Sequence, residues 1–138
     1  MPEATDDEDK IAYQILSSYH VIAVVGCSRN QGKPSHDVPE YMQNAGYKII
    51  PVNPSAEEIL GEKSYKTLLE IPFPVDVVDV FRPSPETVEI AKQAVQIKAK
   101  ALWLQEGIFN DEAKKIAEDA GLIFIMNRCM MKEHYKLF

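Results

Sequence analysis

The sequence predicts an α/β domain: a mainly parallel sheet of five to six strands with helices on both faces. Short β-branched runs alternate with longer amphipathic segments along the chain, so strands and helices take turns. The runs are apolar at successive positions, as in strands buried on both faces of a parallel sheet. At 138 residues and 46% hydrophobic content, the chain holds enough apolar material for one core and one domain.

Thr5-Asp6-Asp7-Glu8 has the spacing of a capping box, and Ile11, Ala12, Ile15, Leu16 and Tyr19 follow at helical intervals. A first helix is expected over residues 6–18, within an N-terminal helical segment of residues 1–20. Val21-Ile22-Ala23-Val24-Val25 reads as a strand, residues 37–45 as a helix, and residues 47–52 as the next strand. Pro39 is tolerated only in a first helical turn, which places that helix start just before it. Gly46 suits the position after its end. Between Pro54 and Pro74, residues 61–64 are expected as a short edge strand and residues 66–70 as a single helical turn.

Residues 75–81 are again β-branched, and they stop at Arg82-Pro83-Ser84-Pro85-Glu86, where Ser84 is expected to cap a helix opening on Pro85. Thr87, Val88, Ala91, Ala94, Val95 and Lys98 continue it. A strand at residues 101–104 leads to a helix over residues 110–120, ended by Gly121 before a strand at residues 122–126. Residues 130–137 form a short terminal helix.

With right-handed crossovers these elements give a doubly wound, Rossmann-like sheet of expected order 3-2-1-4-5-6. Ligands of such sheets bind beyond the carboxyl ends of the strands, at the point where the order reverses. Function is therefore expected in the loops after Val25, Val52, Phe81 and Leu104.

Charge narrows the ligand. The net charge is −6, and Glu3, Asp6, Asp7, Glu8 and Asp9 account for nearly all of it, leaving a body of about −1. No broad basic face serves a nucleic acid, and any phosphate ligand is expected to be small. The sequence shows no signal-peptide pattern and no apolar run near the ~20 residues that span a bilayer, so no membrane partner and a cytoplasmic location are expected. Cys27 and Cys129 have no metal-type spacing and are expected as free thiols.

The first loop runs Gly26-Cys27-Ser28-Arg29-Asn30-Gln31-Gly32-Lys33-Pro34-Ser35. Gly26 permits a tight turn, Ser28 and backbone amides offer donors, and Arg29 and Lys33 can neutralise a diphosphate. The G-x-G-x-x-G fingerprint is absent, and Asn53-Pro54 stands where NAD sites place a ribose-binding carboxylate. Both departures suit a nucleotide whose ribose carries a phosphate, which a carboxylate would repel.

The strand end Gly26-Cys27-Ser28, the stretch Ile50-Pro51-Val52-Asn53-Pro54, the turn Phe81-Arg82-Pro83, the segment Trp103-Leu104-Gln105-Glu106-Gly107 and the ending Asn127-Arg128-Cys129 occur in this order in small CoA-binding proteins. The chain from Val21 to His134 resembles that family. It is similar, more distantly, to the N-terminal CoA-binding domain of the succinyl-CoA synthetase α subunit. The resemblance implies coenzyme A as the cofactor. Gly26, Ser28, Arg29 and Lys33 would approach its phosphates, and Val52, Asn53 and Pro54 would border the adenosine end. Phe81, Arg82, Gln105, Glu106, Gly107 and Ile108 would line the opposite wall.

Other residues read as structural. Trp103 lies in an apolar strand, and Asp76 and Asp79 fall on opposite faces of theirs, which disfavours joint acid–base work. His20, His36 and His134 have no metal spacing. No nucleophile elbow, Walker A or HExxH sequence is present. The expected function is binding of CoA or acyl-CoA by a non-catalytic carrier, sensor or regulatory module. The alternative is an enzyme or enzyme subunit acting on acyl-CoA, or on a CoA thiol or disulfide, through the redox candidates Cys27 or Cys129.

Overall fold

The computed structural model describes residues 7–138. The capping box at Thr5 therefore lies partly outside the described residues. Helix α1 (Asp7–Ser18) leads into strand β1 (Val21–Val25), then α2 (Pro34–Asn44) and β2 (Lys48–Val52). A hairpin of β3 (Glu58–Ile59) and β4 (Glu62–Lys63) follows, and then β5 (Val77–Val80), α3 (Thr87–Gln96), β6 (Ala101–Leu104), α4 (Asp111–Asp119), β7 (Ile123–Ile125) and α5 (Met130–Leu137).

Strands β2-β1-β5-β6-β7 form one parallel sheet in that order. The fold class is as expected, with five helices flanking five strands in a Rossmann-like arrangement. The strand order differs from the expected 3-2-1-4-5-6, because the strand outside β2 is missing. Only 24 residues separate Val52 from Val77, too few for two crossovers of a dozen or more residues each with a full parallel strand between them. The segment instead folds back through Leu60 (φ 57°) and Gly61 (φ 76°), a two-residue turn that pairs β3 with β4 antiparallel. Tyr65 alone bridges to Val52 beside β2.

Side chains alternate between two apolar layers. Ile22, Val24, Ile49, Val77, Trp103 and Ile125 face a cluster completed by residues of α1, α2 and α5. Ala23, Ile50, Val78, Val80, Leu102 and Phe124 face the other cluster, completed by α3 and α4. Each layer removes a contiguous apolar surface from water, the main favourable contribution to folding. Among the described residues no helix is long and apolar enough to cross a membrane.

Two helix starts differ from expectation. Helix α2 begins at Pro34, so Pro39 sits inside it. A proline there cannot donate to the carbonyl four residues back, that of Ser35. The Ser28 amide takes that carbonyl instead, at 3.0 Å. Ser84 does not cap α3: Pro83 precedes a 3-10 turn at Ser84–Glu86, and the Ser84 hydroxyl oxygen accepts from the Phe109 amide at 3.0 Å.

Candidate functional site

The ends of β2, β1 and β5 are tied together by their own backbones. The Gly26 amide donates to Val52 O at 3.0 Å, and the Phe81 amide donates to Val25 O at 2.9 Å. This opens the first and third loops on either side of the β1–β5 junction, where the strand order reverses. Gly26 has φ 86°, and a Cβ there would lie 2.9 Å from both Phe81 O and Arg82 Cδ. Only glycine lets the two loops approach this closely.

Above this floor lies a cleft of about 640 Å³, within the usual range for small-ligand sites. Gly26, Ser28, Arg29 and Lys33 line it from the first loop, Val52, Asn53 and Pro54 from the end of β2, and Phe81 and Arg82 from the end of β5. Ser28 Oγ accepts the Asn30 amide at 3.0 Å, which leaves its own proton free to donate outward. Four cations, Arg29, Lys33, Lys66 and Arg82, face one carboxylate, Glu86. The cleft is thus locally positive on a chain of net charge −6, an arrangement that concentrates small anions. Arg82 Nε and Nη2 donate to the two Glu86 oxygens at 3.0 and 2.9 Å, which holds the Glu86 carboxyl below the usual carboxylate range.

Four expected residues do not line this cleft. Gln105 turns into the sheet, donating to Asp79 Oδ1 at 2.6 Å and accepting from the Met130 amide at 3.3 Å. Glu106 accepts from Lys132 at 3.1 Å, the Gly107 amide donates to Asn127 Oδ1 at 2.8 Å, and Ile108 packs on the α3–α4 layer. Conversely, the cleft takes Lys66, Thr67 and Leu68 from beyond the hairpin. Nothing in their local sequence marks them, since only the Tyr65 bridge to β2 brings them here.

Asn53 acts as a staple: its Nδ2 donates to Cys27 O at 2.9 Å and its Oδ1 accepts the Ser55 amide at 2.7 Å. Cys27 is fully buried, and that burial, followed by the charge of Asp79, pushes its thiol up to about 12. The amide environment of the first loop therefore does not activate it. Cys129 is also buried, just before α5. Asp79 is fully buried, its carboxyl is raised to about 7 by burial, and its Oδ2 has no hydrogen-bond partner among the described residues. Asp76, in contrast, accepts the Val21 amide at 3.2 Å. Trp103 is fully buried and donates to Arg128 O at 2.8 Å, as a core residue. His36 comes together with Asp37 and Glu40 at the start of α2, where Asp37 Oδ1 already accepts the Gly32 amide and contacts His36 Nδ1, both at 3.1 Å.

A parallel sheet flanked by helices, with a cation-lined cleft at the point where the strand order reverses, defines a Rossmann-like α/β protein. The chain belongs to the CoA binding domain family, which it matches over residues 20–135. It is 40% identical over 121 residues to the uncharacterised protein YneT of Bacillus subtilis, a match covering 88% of this chain and 90% of that one. It is 34% identical over 99 residues to the ADP-forming acetate–CoA ligase II of Archaeoglobus fulgidus, covering 70% of this chain but only 15% of the ligase. A hypothetical protein from Pyrococcus horikoshii OT3 has the same fold, with a TM-score of 0.91 and 41% identity over 99% of both chains.

Proposed function

We propose that this protein binds coenzyme A or an acyl-CoA in the cleft at the carboxyl edge of the sheet and serves as a cytoplasmic, non-catalytic carrier, sensor or regulatory module. The observation that carries this reading is the cation-lined cleft beside Gly26, in a chain of the CoA binding domain family. The residues present fit the ligand. Arg29, Lys33 and the Ser28 hydroxyl suit a diphosphate, because charge-assisted hydrogen bonds to phosphate are among the stronger polar contacts. Val25, Val52, Leu68, Phe81 and Ile90 give the cleft an apolar side for the uncharged parts of the molecule. Asn53 in place of an acid favours a ribose phosphate over a free ribose diol.

The catalytic alternative through Cys27 requires a thiolate, and full burial with a thiol raised to about 12 counts against it. Mass spectrometry of the gently purified protein, paired with a turnover assay on acyl-CoAs, tests the proposal. The expected result is retained CoA or a CoA thioester with no thioester consumption above background. Steady consumption of an acyl-CoA would establish an enzyme instead.

A further inference from the structure

We infer that Lys66 is the residue through which the cleft selects nucleotides with a phosphorylated ribose over those with a free ribose diol. This deepens the CoA reading and rests on it. In doubly wound sheets the ribose lies beyond the end of the second strand, where a carboxylate receives free hydroxyls and a cation accommodates a phosphate. In this protein the residue at that strand end is Asn53. Its amide group is engaged on both sides, with Cys27 O at 2.9 Å and the Ser55 amide at 2.7 Å, so Asn53 is a staple of the floor.

The cation reaches this place by a different route. Tyr65 lies along the open edge of β2, where its amide donates to Pro51 O at 3.0 Å and its carbonyl accepts the Asn53 amide at 2.8 Å. The Ser64 hydroxyl adds a bond to Asn53 O at 3.2 Å. Directly after this clamp comes Lys66, which lines the cleft, and the turn behind it is anchored by fully buried Leu68. The backbone of Lys66 is thus fixed at the end of β2, although 12 residues separate it from Asn53 in sequence.

The other cleft cations are differently committed. Arg82 is held in two hydrogen bonds by Glu86, and Arg29 and Lys33 belong to the first loop, the diphosphate side of such sheets. Among the described residues no carboxylate lies within ion-pair distance of the Lys66 ammonium, so its charge is available to a ligand at the β2 side. A phosphate there gains a charge-assisted bond that a hydroxyl cannot supply to the same degree.

Calorimetric titration of the full chain with CoA and with 3′-dephospho-CoA tests this, using the parent protein, Lys66→Met and the remote control Lys115→Met. The parent is expected to prefer CoA by roughly tenfold or more, the scale of one charged hydrogen bond. Lys66→Met should remove most of that preference by weakening CoA alone, with dephospho-CoA within twofold of the parent and Lys115→Met unchanged for both. An undiminished preference in Lys66→Met, or equal losses for the two ligands, would overturn the assignment. A parent that binds both ligands equally would also overturn it while leaving the CoA reading intact. A parent that binds neither would remove the CoA reading and this assignment with it.

Discussion

At Gly26 the positive φ and the 2.9 Å approach to Phe81 O act together, so a side chain meets backbone and cannot swing aside. Gly26→Val is therefore expected to destabilise the fold by about 2 to 3 kcal/mol as well as to abolish ligand binding. Chemical denaturation measures the first effect and a titration with CoA the second; a Val variant of parental stability would show that the loops do not meet here. Asp79 makes a different prediction. Its folded carboxyl is raised from 3.8 to about 7, so its burial costs nothing at low pH, and the cost grows as pH rises through that window. Asp79→Asn removes the titration, and its stability relative to the parent should rise between pH 4 and pH 8 by on the order of 1 to 3 kcal/mol. Denaturation curves at the two pH values check it, and a constant difference would place the carboxyl at an ordinary pKa. The places of Gly26, Ser28, Arg29 and Lys33 on the cleft were legible in the sequence, because one short loop sets them. The place of Lys66 on the cleft and of Gln105 away from it were not, because their surroundings come from strands far away in the chain.

Elements with strong periodicity were legible to within a few residues, as β1, β6 and α5 illustrate. Helix α2 was misplaced at its start because Pro39 reads as a first-turn residue until a partner outside the helix, the Ser28 amide, is seen to use the carbonyl it leaves open. The hairpin after β2 was half legible. Its second strand lies where an edge strand was expected, but its pairing depends on the turn at Leu60 and Gly61. The contact between α1 and α5 shows what sequence periodicity omits. Arg128 approaches Asp9 at 3.2 Å, Glu8 at 2.8 Å and Glu133 at 3.5 Å, and Lys136 adds a 2.7 Å contact to Asp9. The Lys136 hydrogen bond leads in holding the Asp9 carboxyl below its ordinary 3.8. Removing Arg128 leaves the buried Asp9 and Glu133 carboxylates sharing the Lys136 ammonium, with less positive charge to offset them. Arg128→Met is expected to cost about 2 to 3 kcal/mol at pH 7. Because a carboxyl of depressed pKa contributes stability only while ionised, the loss should shrink as pH falls below about 4. Unfolding measured at pH 7 and pH 3 tests this, and an equal loss at both would assign the effect to packing.

At the scale of the molecule, the parallel sheet and the location of its cleft follow from continuous apolar strands and short turns, which is why both could be read before the structure. The sheet order could not, since it depended on whether the 24 residues between Val52 and Val77 hold another crossover strand. Charge is also organised globally: the chain is acidic overall, yet Arg29, Lys33, Lys66 and Arg82 gather at the one edge where loops β1–α2 and β5–α3 diverge. On the function proposed above, that arrangement would favour a ligand with a diphosphate and a ribose phosphate over a dinucleotide with free riboses. The most direct test compares unfolding of the protein with CoA and with NAD at equal free concentration. CoA at about 100 times its dissociation constant should stabilise the fold by roughly 2.7 kcal/mol, with NAD giving much less. Stabilisation by NAD equal to or greater than that by CoA, or no stabilisation by CoA, would contradict the assignment of this cleft.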